Sequence, residues 1–232
     1  MHEFPYFIGL IPLFLLWLYF YFKRKDLRHQ QITVGIFTAP LAPVSQVLFF
    51  SKDYWNPEYI VPFRIAGVPL GIEELLFAFI AGGVGSVFYE VIFKKKHVTG
   101  KKRFLLPFIA ILCSAILFYL LFRLGVSSIW ASSAALFALS LGIMALDKDL
   151  RTDLLWSGIF MVGSAVVVYI ALLYLYPDLI HLLWVDGGLS GVTWLRIPIE
   201  EIVWFFTFGT AIGAMYEFVK NVDGYLPLKK RA

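Results

Sequence analysis

The chain has a single cysteine, Cys113, among 232 residues. This excludes an intrachain disulfide framework, a two-cysteine redox centre and a zinc site built from several thiolates. Charge is scarce as well: Asp, Glu, Lys and Arg make up only 16% of the sequence, too little to clothe a soluble domain of this length. There is no phosphate-binding loop of the P-loop type, because Gly82-Gly83-Val84-Gly85 lies inside an apolar run rather than after a strand. Those glycines read as small residues that let helices approach closely. None of the four histidines falls within an apolar run, so neither a metal site nor a cofactor is expected.

What the chain does have is apolar surface: 60% of it is hydrophobic, 18% aromatic, and its mean hydropathy is +0.78. Seven stretches are long enough to cross a hydrocarbon core of about 30 Å, over 4–22, 32–50, 71–93, 104–122, 128–146, 155–176 and 198–219. The expectation is an all-α, polytopic membrane protein with seven transmembrane helices. The segments between spans are too short for a separate catalytic domain, so any site must be built by the helices and their rims. The first span reads as a retained helix and not as a cleaved leader, because it lacks a basic leading segment and a small-residue cleavage site. Sixteen of the twenty Lys and Arg residues fall after spans 1, 3, 5 and 7, and only Lys52, Arg64, Arg123 and Arg196 fall on the other face. This asymmetry places the N-terminus outside and the C-terminus in the cytoplasm of a cell-membrane protein. The basic loops are thereby explained as topology determinants, and no nucleic-acid partner is expected.

The chain repeats itself. Lys25-Asp-Leu-Arg-His-Gln-Gln-Ile-Thr-Val-Gly-Ile-Phe37 matches Lys148-Asp-Leu-Arg-Thr-Asp-Leu-Leu-Trp-Ser-Gly-Ile-Phe160 at seven of thirteen positions, with an offset of 123. The segment from Gly71 to Glu90 matches that from Pro198 to Glu217 at an offset of 127. Spans 1–3 therefore correspond to spans 5–7, giving repeat 1 over 1–96, a linker span within 97–124 and repeat 2 over 125–232. An even number of crossings separates equivalent helices, so the two three-helix units run parallel in a 3-1-3 plan about an axis along the bilayer normal.

Six acidic residues fall within these spans, in two layers. Glu73, Glu74, Glu200 and Glu201 open spans 3 and 7 at the outer face, and Glu90 and Glu217 close them at the inner face. The layers are about 25 Å apart along a helix, so an acid and a base that cooperate must come from one layer. The inner pair has an ordinary reading as helix-surface partners of Lys94 and Lys220 at headgroup level. The outer carboxylates have one too, since acidic residues in a first turn favour the helix N-terminus and Pro198 stands where a helix-starting proline belongs. Yet two adjacent glutamates exceed what a cap requires. In a weakly solvated setting such a pair is suited to retain a proton, the state a general acid needs. Phe77, Trp204 and Phe205 follow these pairs at helical spacing, where their ring faces could stabilise a cation, with ordinary packing as the competing account. Pro40, Pro43, Ser45 and Gln46 interrupt span 2, as expected either of a packing kink or of a broken helix beside a ligand cavity. Trp55, Trp184 and Trp194 read as interface anchors.

Several membrane enzymes and receptors do not fit. The paired glutamates lack the arginine that follows them in CAAX-type proteases, no aspartate-rich prenyltransferase signature is present, and span 7 has no lysine for a retinal Schiff base before Lys220. With those set aside, the chain resembles the integral-membrane lycopene cyclase domain family, whose members carry one or two copies of a three-span domain with a proline-x-glutamate-glutamate motif. The resemblance rests on Asp53-Tyr54-Trp55, on Gly67-Val68-Pro69 through Ile72-Glu73-Glu74-Leu75-Leu76-Phe77, and on Ile197-Pro198-Ile199-Glu200-Glu201. Gly71 takes the motif proline's place in the first copy, and the second has Trp184-Val185-Asp186 in place of Asp-Tyr-Trp. The resemblance implies a cofactor-independent, redox-neutral cyclisation of a linear carotenoid end group. Glu73, Glu74, Glu200 and Glu201 would be the catalytic carboxyls, Phe77, Trp204, Phe205 and Gln46 would bind substrate, and the partners would be the bilayer and a hydrophobic isoprenoid or carotenoid. The rival expectation is a small-solute or isoprenoid carrier or binding protein on the same 3-1-3 bundle, which would need hydrogen-bonding groups at mid-helix depth.

The orientation is open to direct labelling. With Cys113→Ser as background, Arg64→Cys should react with a membrane-impermeant maleimide in intact cells and Arg151→Cys only after permeabilisation; the opposite pattern would invert the assignment.

Overall fold

A computed structural model describes residues 4–99, 105–185 and 187–227. Asp186 and the basic residues Lys101, Lys102, Arg103, Lys229, Lys230 and Arg231, all used in the sequence reading, lie outside the described residues. In chain order the helices are α1 (Pro5–Lys23), α2 (Arg28–Thr38), α3 (Leu41–Ser45), α4 (Ser51–Asp53), α5 (Ile72–Gly85), α6 (Phe88–Ile92), α7 (Leu105–Arg123), α8 (Ser128–Leu146), α9 (Arg151–Leu175), α10 (Leu179–Leu183), α11 (Ile199–Gly213) and α12 (Met215–Lys220). Three antiparallel two-stranded pairs accompany them: β1 (Phe63–Ile65) with β2 (Val68–Leu70), β4 (Thr193–Trp194) with β5 (Ile197–Pro198), and β3 (Lys95–Thr99) with β6 (Val222–Pro227).

The protein is a multi-pass helical membrane protein. Six of its helical segments are long and apolar enough to cross a bilayer among the described residues. The seventh expected span, 71–93, is not one helix: α5 stops after 14 residues and α6 adds five beyond a break at Ser86 and Val87. The corresponding run α11–α12 breaks at the equivalent position, Ala214. The small sheets also depart from a purely helical expectation. The turns Ala66-Gly67 and Leu195-Arg196 have positive φ at both central residues, the backbone that closes a two-residue hairpin. In Ala66, Leu195 and Arg196 this conformation is held against a side-chain penalty, so only glycine at 67 is an ordinary turn signal.

The sequence repeat is written into the packing. Lys25–Leu27 and Lys148–Leu150 are both single 3₁₀ turns, and behind them Arg28 and Arg151 each donate from Nε, at 2.8 Å, to the carbonyl seven residues earlier, that of Tyr21 or Met144. The basic motif thus locks the turn between one helix and the next. Gly35 on α2 meets α5 so closely that a Cβ there would lie 2.8 Å from the Phe79 carbonyl oxygen, and Gly158 on α9 would meet that of Phe206 on α11 at 2.9 Å. These are the same contact at offsets 123 and 127, the small-residue approach that lets helices pack where lipid supplies no hydrophobic drive. One step along, the copies diverge. Trp17 on α1 sits over Gly83, whereas Ser140 on α8 donates to the Thr210 hydroxyl at 2.9 Å. Mid-helix hydroxyls are used on backbone in the same way, as where Thr38 donates to the Ala78 carbonyl at 2.7 Å.

Span 2 is bent and not severed. α3 runs into a π-helical turn over Gln46–Phe50 and then α4, a local widening of the kind found beside functional sites. α7 lies at the periphery: only 11% of its apolar window is buried, and Ser114 ties it to the Ala135 carbonyl of α8. Outward-facing positions are apolar, as at Phe37 and Leu124, because the surrounding solvent is hydrocarbon.

The glycine contact is testable by pairing it with an open position. Gly35→Ala should cost about 1–3 kcal/mol and lower the thermal unfolding midpoint in detergent, whereas Gly142→Ala, where a Cβ would meet nothing within 4 Å, should leave the midpoint unchanged or slightly raised.

Candidate active site

The four outer glutamates are all buried, with 1% to 6% of their surface exposed, so each must find its hydrogen bonds inside the protein. They fall into two kinds. Glu73 and Glu200 face the loops: Oε1 of Glu73 accepts the Ile60 amide at 2.8 Å, and Oε1 of Glu200 accepts the Ser190 amide at 2.7 Å. In each the second oxygen, Oε2, is buried and accepts no hydrogen bond. This equivalence makes them anchors that hold the outer loops against α5 and α11. It also explains Gly71, since a Cβ there would come within 2.7 Å of the Tyr59 side chain and collide with the Glu73 carboxyl. Pro198 is found at the end of β5, one position before α11 begins, and therefore serves as the helix cap position and not as its first residue.

Glu74 and Glu201 face inward, into rings of donors. Oε1 of Glu74 accepts the Tyr59 hydroxyl at 2.8 Å and the Trp55 indole N–H at 3.1 Å. The Tyr6 hydroxyl stands close to both the Glu74 carboxyl and the Glu73 carbonyl. Glu201 takes Tyr54 at 2.5 Å and Trp184 at 3.3 Å on Oε1, and Tyr169 at 2.5 Å on Oε2. Phenol and indole are the donors an apolar interior can house, because each brings a large hydrocarbon body with one polar tip. Burial, and then the facing glutamate, hold the Tyr54 and Tyr59 phenols above the usual tyrosine range, so both stay protonated and donating.

Asp53-Tyr54-Trp55 distributes its three side chains to three places. Asp53 caps α8 through the Ser128 amide at 2.7 Å and hydroxyl, Tyr54 reaches Glu201 in the other half of the chain, and Trp55 reaches Glu74. The two tryptophans form a β-bridge, flanked by bonds from Asn56 to the Leu183 carbonyl and from Val185 to that of Tyr54, and their rings meet edge to face at 5.3 Å. Trp184, 4% exposed, is therefore not an interface anchor, while Trp55 is half-buried with its N–H on Glu74 and Trp194, at 53%, keeps the surface position expected of it.

Below the indoles lie the expected rings. Phe77 stacks on Trp204, its counterpart at offset 127, with centroids 6.2 Å apart, and Phe205 meets Phe77 edge to face. Tyr6 approaches Phe77, and Tyr169 approaches Phe205. Gln46 is 2% exposed and donates to the Trp55 carbonyl at 2.8 Å while bonding the Tyr59 phenol. It holds the loop that delivers two of the donors to Glu74. A crevice between α9 and α11, too narrow for a water molecule, is lined by Glu201, Tyr169 and Phe205 together with Val162, Val166 and Ile202. A second hollow of about 270 Å³ lies in the outer loop around Trp184, Leu189 and Thr193.

Sequence reasoning did not single out Tyr6, Tyr59 or Tyr169, and it marked Tyr54 only as part of Asp53-Tyr54-Trp55, without a role. One signal was present: Tyr169 stands at offset 123 from Gln46, so the residue that reaches Glu201 directly is the repeat counterpart of one already marked. The inner layer also differs from expectation, since Glu90 and Glu217 are fully buried rather than displayed at headgroup level.

The fold and site together define a polytopic helical membrane protein with paired buried carboxyls set in an aromatic cage, built twice along one chain. The family model described as Lycopene cyclase matches residues 5–92 and again 126–219, and the chain belongs to that family. No curated protein and no solved structure matches it.

The donor ring around Glu201 predicts coupled losses. Tyr169→Phe should lower the thermal midpoint by an amount equivalent to about 1–2 kcal/mol. The same change in a Glu201→Gln background should cost about 1 kcal/mol less, as read by a double-mutant cycle on unfolding; additive effects would mean that the phenol and the carboxyl do not interact.

Proposed function

We propose that this protein cyclises the end groups of a linear carotenoid, with Glu74 and Glu201 as the carboxyls that exchange protons with the substrate. The observation that carries this reading is the pair of buried carboxyls joined through the Trp55–Trp184 contact and lined by Phe77, Trp204 and Phe205. One carboxyl in its neutral form donates H⁺ to the terminal double bond, leaving a tertiary cation. The neighbouring alkene attacks that cation and closes the ring, and a carboxylate removes a ring proton to restore a double bond. One proton enters and one leaves, so the product is an isomer of the substrate and no redox cofactor is consumed. The repeat makes the acid and base roles of Glu74 and Glu201 interchangeable.

The surroundings support each requirement. Ring faces around the site favour the cation, and the phenols and indoles stabilise whichever carboxyl is ionised. Sideways entry of a long polyene from the bilayer requires the closed crevice lined by Val162, Val166 and Ile202 to open. Glu73 and Glu200, expected among the catalytic carboxyls, we assign to holding the loops that carry the donors. The repeats over 1–96 and 125–232, with 97–124 as linker, are the 3-1-3 arrangement we propose, with an axis along the bilayer normal, the site at the outer face, and the C-terminus in the cytoplasm. A solute carrier would need free hydrogen-bonding groups at mid-depth. The hydroxyls of Thr38, Thr207 and Thr210 there are engaged with helix carbonyls, which leaves the indole N–H groups of Trp17 and Trp204 as buried donors without an acceptor.

Pigment analysis of cells that accumulate lycopene tests the proposal. Wild-type chain should yield cyclic product, and Glu74→Gln and Glu201→Gln should each cut it by about 10²-fold or more at matched membrane levels. Glu73→Gln and Glu200→Gln keep a side-chain oxygen for the loop amides and should retain most of the yield. Unchanged lycopene with folded wild-type protein would defeat cyclisation of that substrate, and loss confined to the 73 and 200 variants would reverse the assignment.

A further inference from the structure

The inner layer contains a second constellation that the cyclisation chemistry does not use. Glu90 on α6, Asp153 in the first turn of α9 and Glu217 on α12 are each fully buried, and an oxygen of each lies within 4.8 Å of the others. Gln30 on α2 joins them, with Nε2 donating to Glu217 Oε1 at 2.6 Å and to the Ser86 carbonyl. Two of the four come from each half of the chain, and they are repeat counterparts: Glu90 with Glu217 at offset 127, and Gln30 with Asp153 at offset 123.

Three carboxyls gathered in one buried cluster need protons, donors or a cation to be tolerated there. Ser157 donates to Asp153 Oδ1 at 2.9 Å. Arg24 acts on Glu90, but its guanidinium is already divided among the Asp26 carboxylate and the carbonyls of Glu90 and Lys95. Both carboxyl oxygens of Glu90 are buried without a donor in hydrogen-bond geometry, their polar neighbours being Glu217 and Gln30 of the cluster itself, and Oε1 of Gln30, 2% exposed, is also without a donor. Buried polar atoms without donors mark a place where a partner is missing, and oxygens facing oxygens call for a cation.

We propose that Glu90, Asp153 and Glu217, with Gln30 beside them, bind one divalent, oxygen-seeking cation of the Mg²⁺, Mn²⁺ or Ca²⁺ class, which fastens the two halves of the chain together at the inner face. The donors are hard oxygens with neither thiolate nor imidazole, which disfavours zinc and copper. Ligands on a cation with bonds of about 2.1–2.5 Å stand about 3–5 Å apart, and the oxygens already satisfy that spacing. The site is structural. It lies a helix length from Glu74 and Glu201, so it stays clear of the reacting atoms and requires no role in turnover.

The test uses the full chain, purified in detergent and stripped by chelator, with Mn²⁺ as the probe and its electron paramagnetic resonance signal as the readout. Wild-type protein should bind about one Mn²⁺ per chain, displaceable by Mg²⁺ or Ca²⁺, and its thermal midpoint should rise on binding. Glu90→Gln should weaken Mn²⁺ by roughly tenfold or more, while the exposed Asp178→Asn should bind as wild type. If Glu90→Gln does not fold, Asp153→Asn takes its place, and the wild-type stoichiometry and chelator-induced drop in midpoint still decide. Wild-type protein that takes up no Mn²⁺, Mg²⁺ or Ca²⁺ at millimolar concentration, or whose midpoint ignores chelator, would overturn the proposal and mark the cluster as proton-sharing carboxyls. Equal binding by Glu90→Gln would overturn it too. Neither readout depends on cyclase activity, so failure here and failure of the cyclase reading are separable.

Discussion

Burying a carboxyl in a hydrocarbon environment is the constraint around which this molecule is arranged. A carboxylate taken out of water without partners costs several kcal/mol, and the outer layer alone contains four. Each requires donors that an apolar protein can supply without opening itself to water. The answers are loop amides for Glu73 and Glu200, and tyrosine and tryptophan tips for Glu74 and Glu201. The hairpins, the bridge between Trp55 and Trp184 and the bend in the second span follow as ways of delivering those donors. Gln46, at the π-helical turn, holds the loop that brings Trp55 and Tyr59 to Glu74.

Duplication gives this arrangement its economy and also its asymmetry. Equivalent contacts recur at the arginine clamps and at Gly35 and Gly158, where the backbone geometry of two helices must match. Where side chains only need to fill space, the copies have drifted, with Trp17 over Gly83 answered by Ser140 on Thr210. The donor sets have drifted as well. Tyr169 bonds Glu201 directly, while its counterpart Gln46 acts on Glu74 through Tyr59 and the Trp55 carbonyl. Tyr54 crosses from the first half to Glu201, so the second half does not complete its own donor ring.

Much of this was legible in the residues. Hydropathy located the apolar spans, self-comparison located the repeat, and the glutamate pairs with Phe77, Trp204 and Phe205 marked residues that the fold brings together in the candidate site. The break at Ser86 and Val87 within 71–93 was not, because an unbroken apolar run gives no sign of it. The inner glutamates were read against their nearest lysines, since spacing along one helix is visible in a sequence and the facing helix that carries Asp153 is not.

Apolar length and repeated acidic motifs, which are properties of the chain alone, determined a multi-pass helical membrane protein with two copies of one unit and paired glutamates at equivalent helix starts. Which carboxyl faces a loop and which faces an aromatic cage was decided by tertiary structure, because adjacent helix positions point about 100° apart and only the neighbouring elements give those directions meaning. The same holds for the tyrosines. Tyr6, Tyr54, Tyr59 and Tyr169 are scattered through the sequence among 12 such residues, and only packing distinguishes those whose hydroxyls meet a buried carboxyl from those that merely fill space.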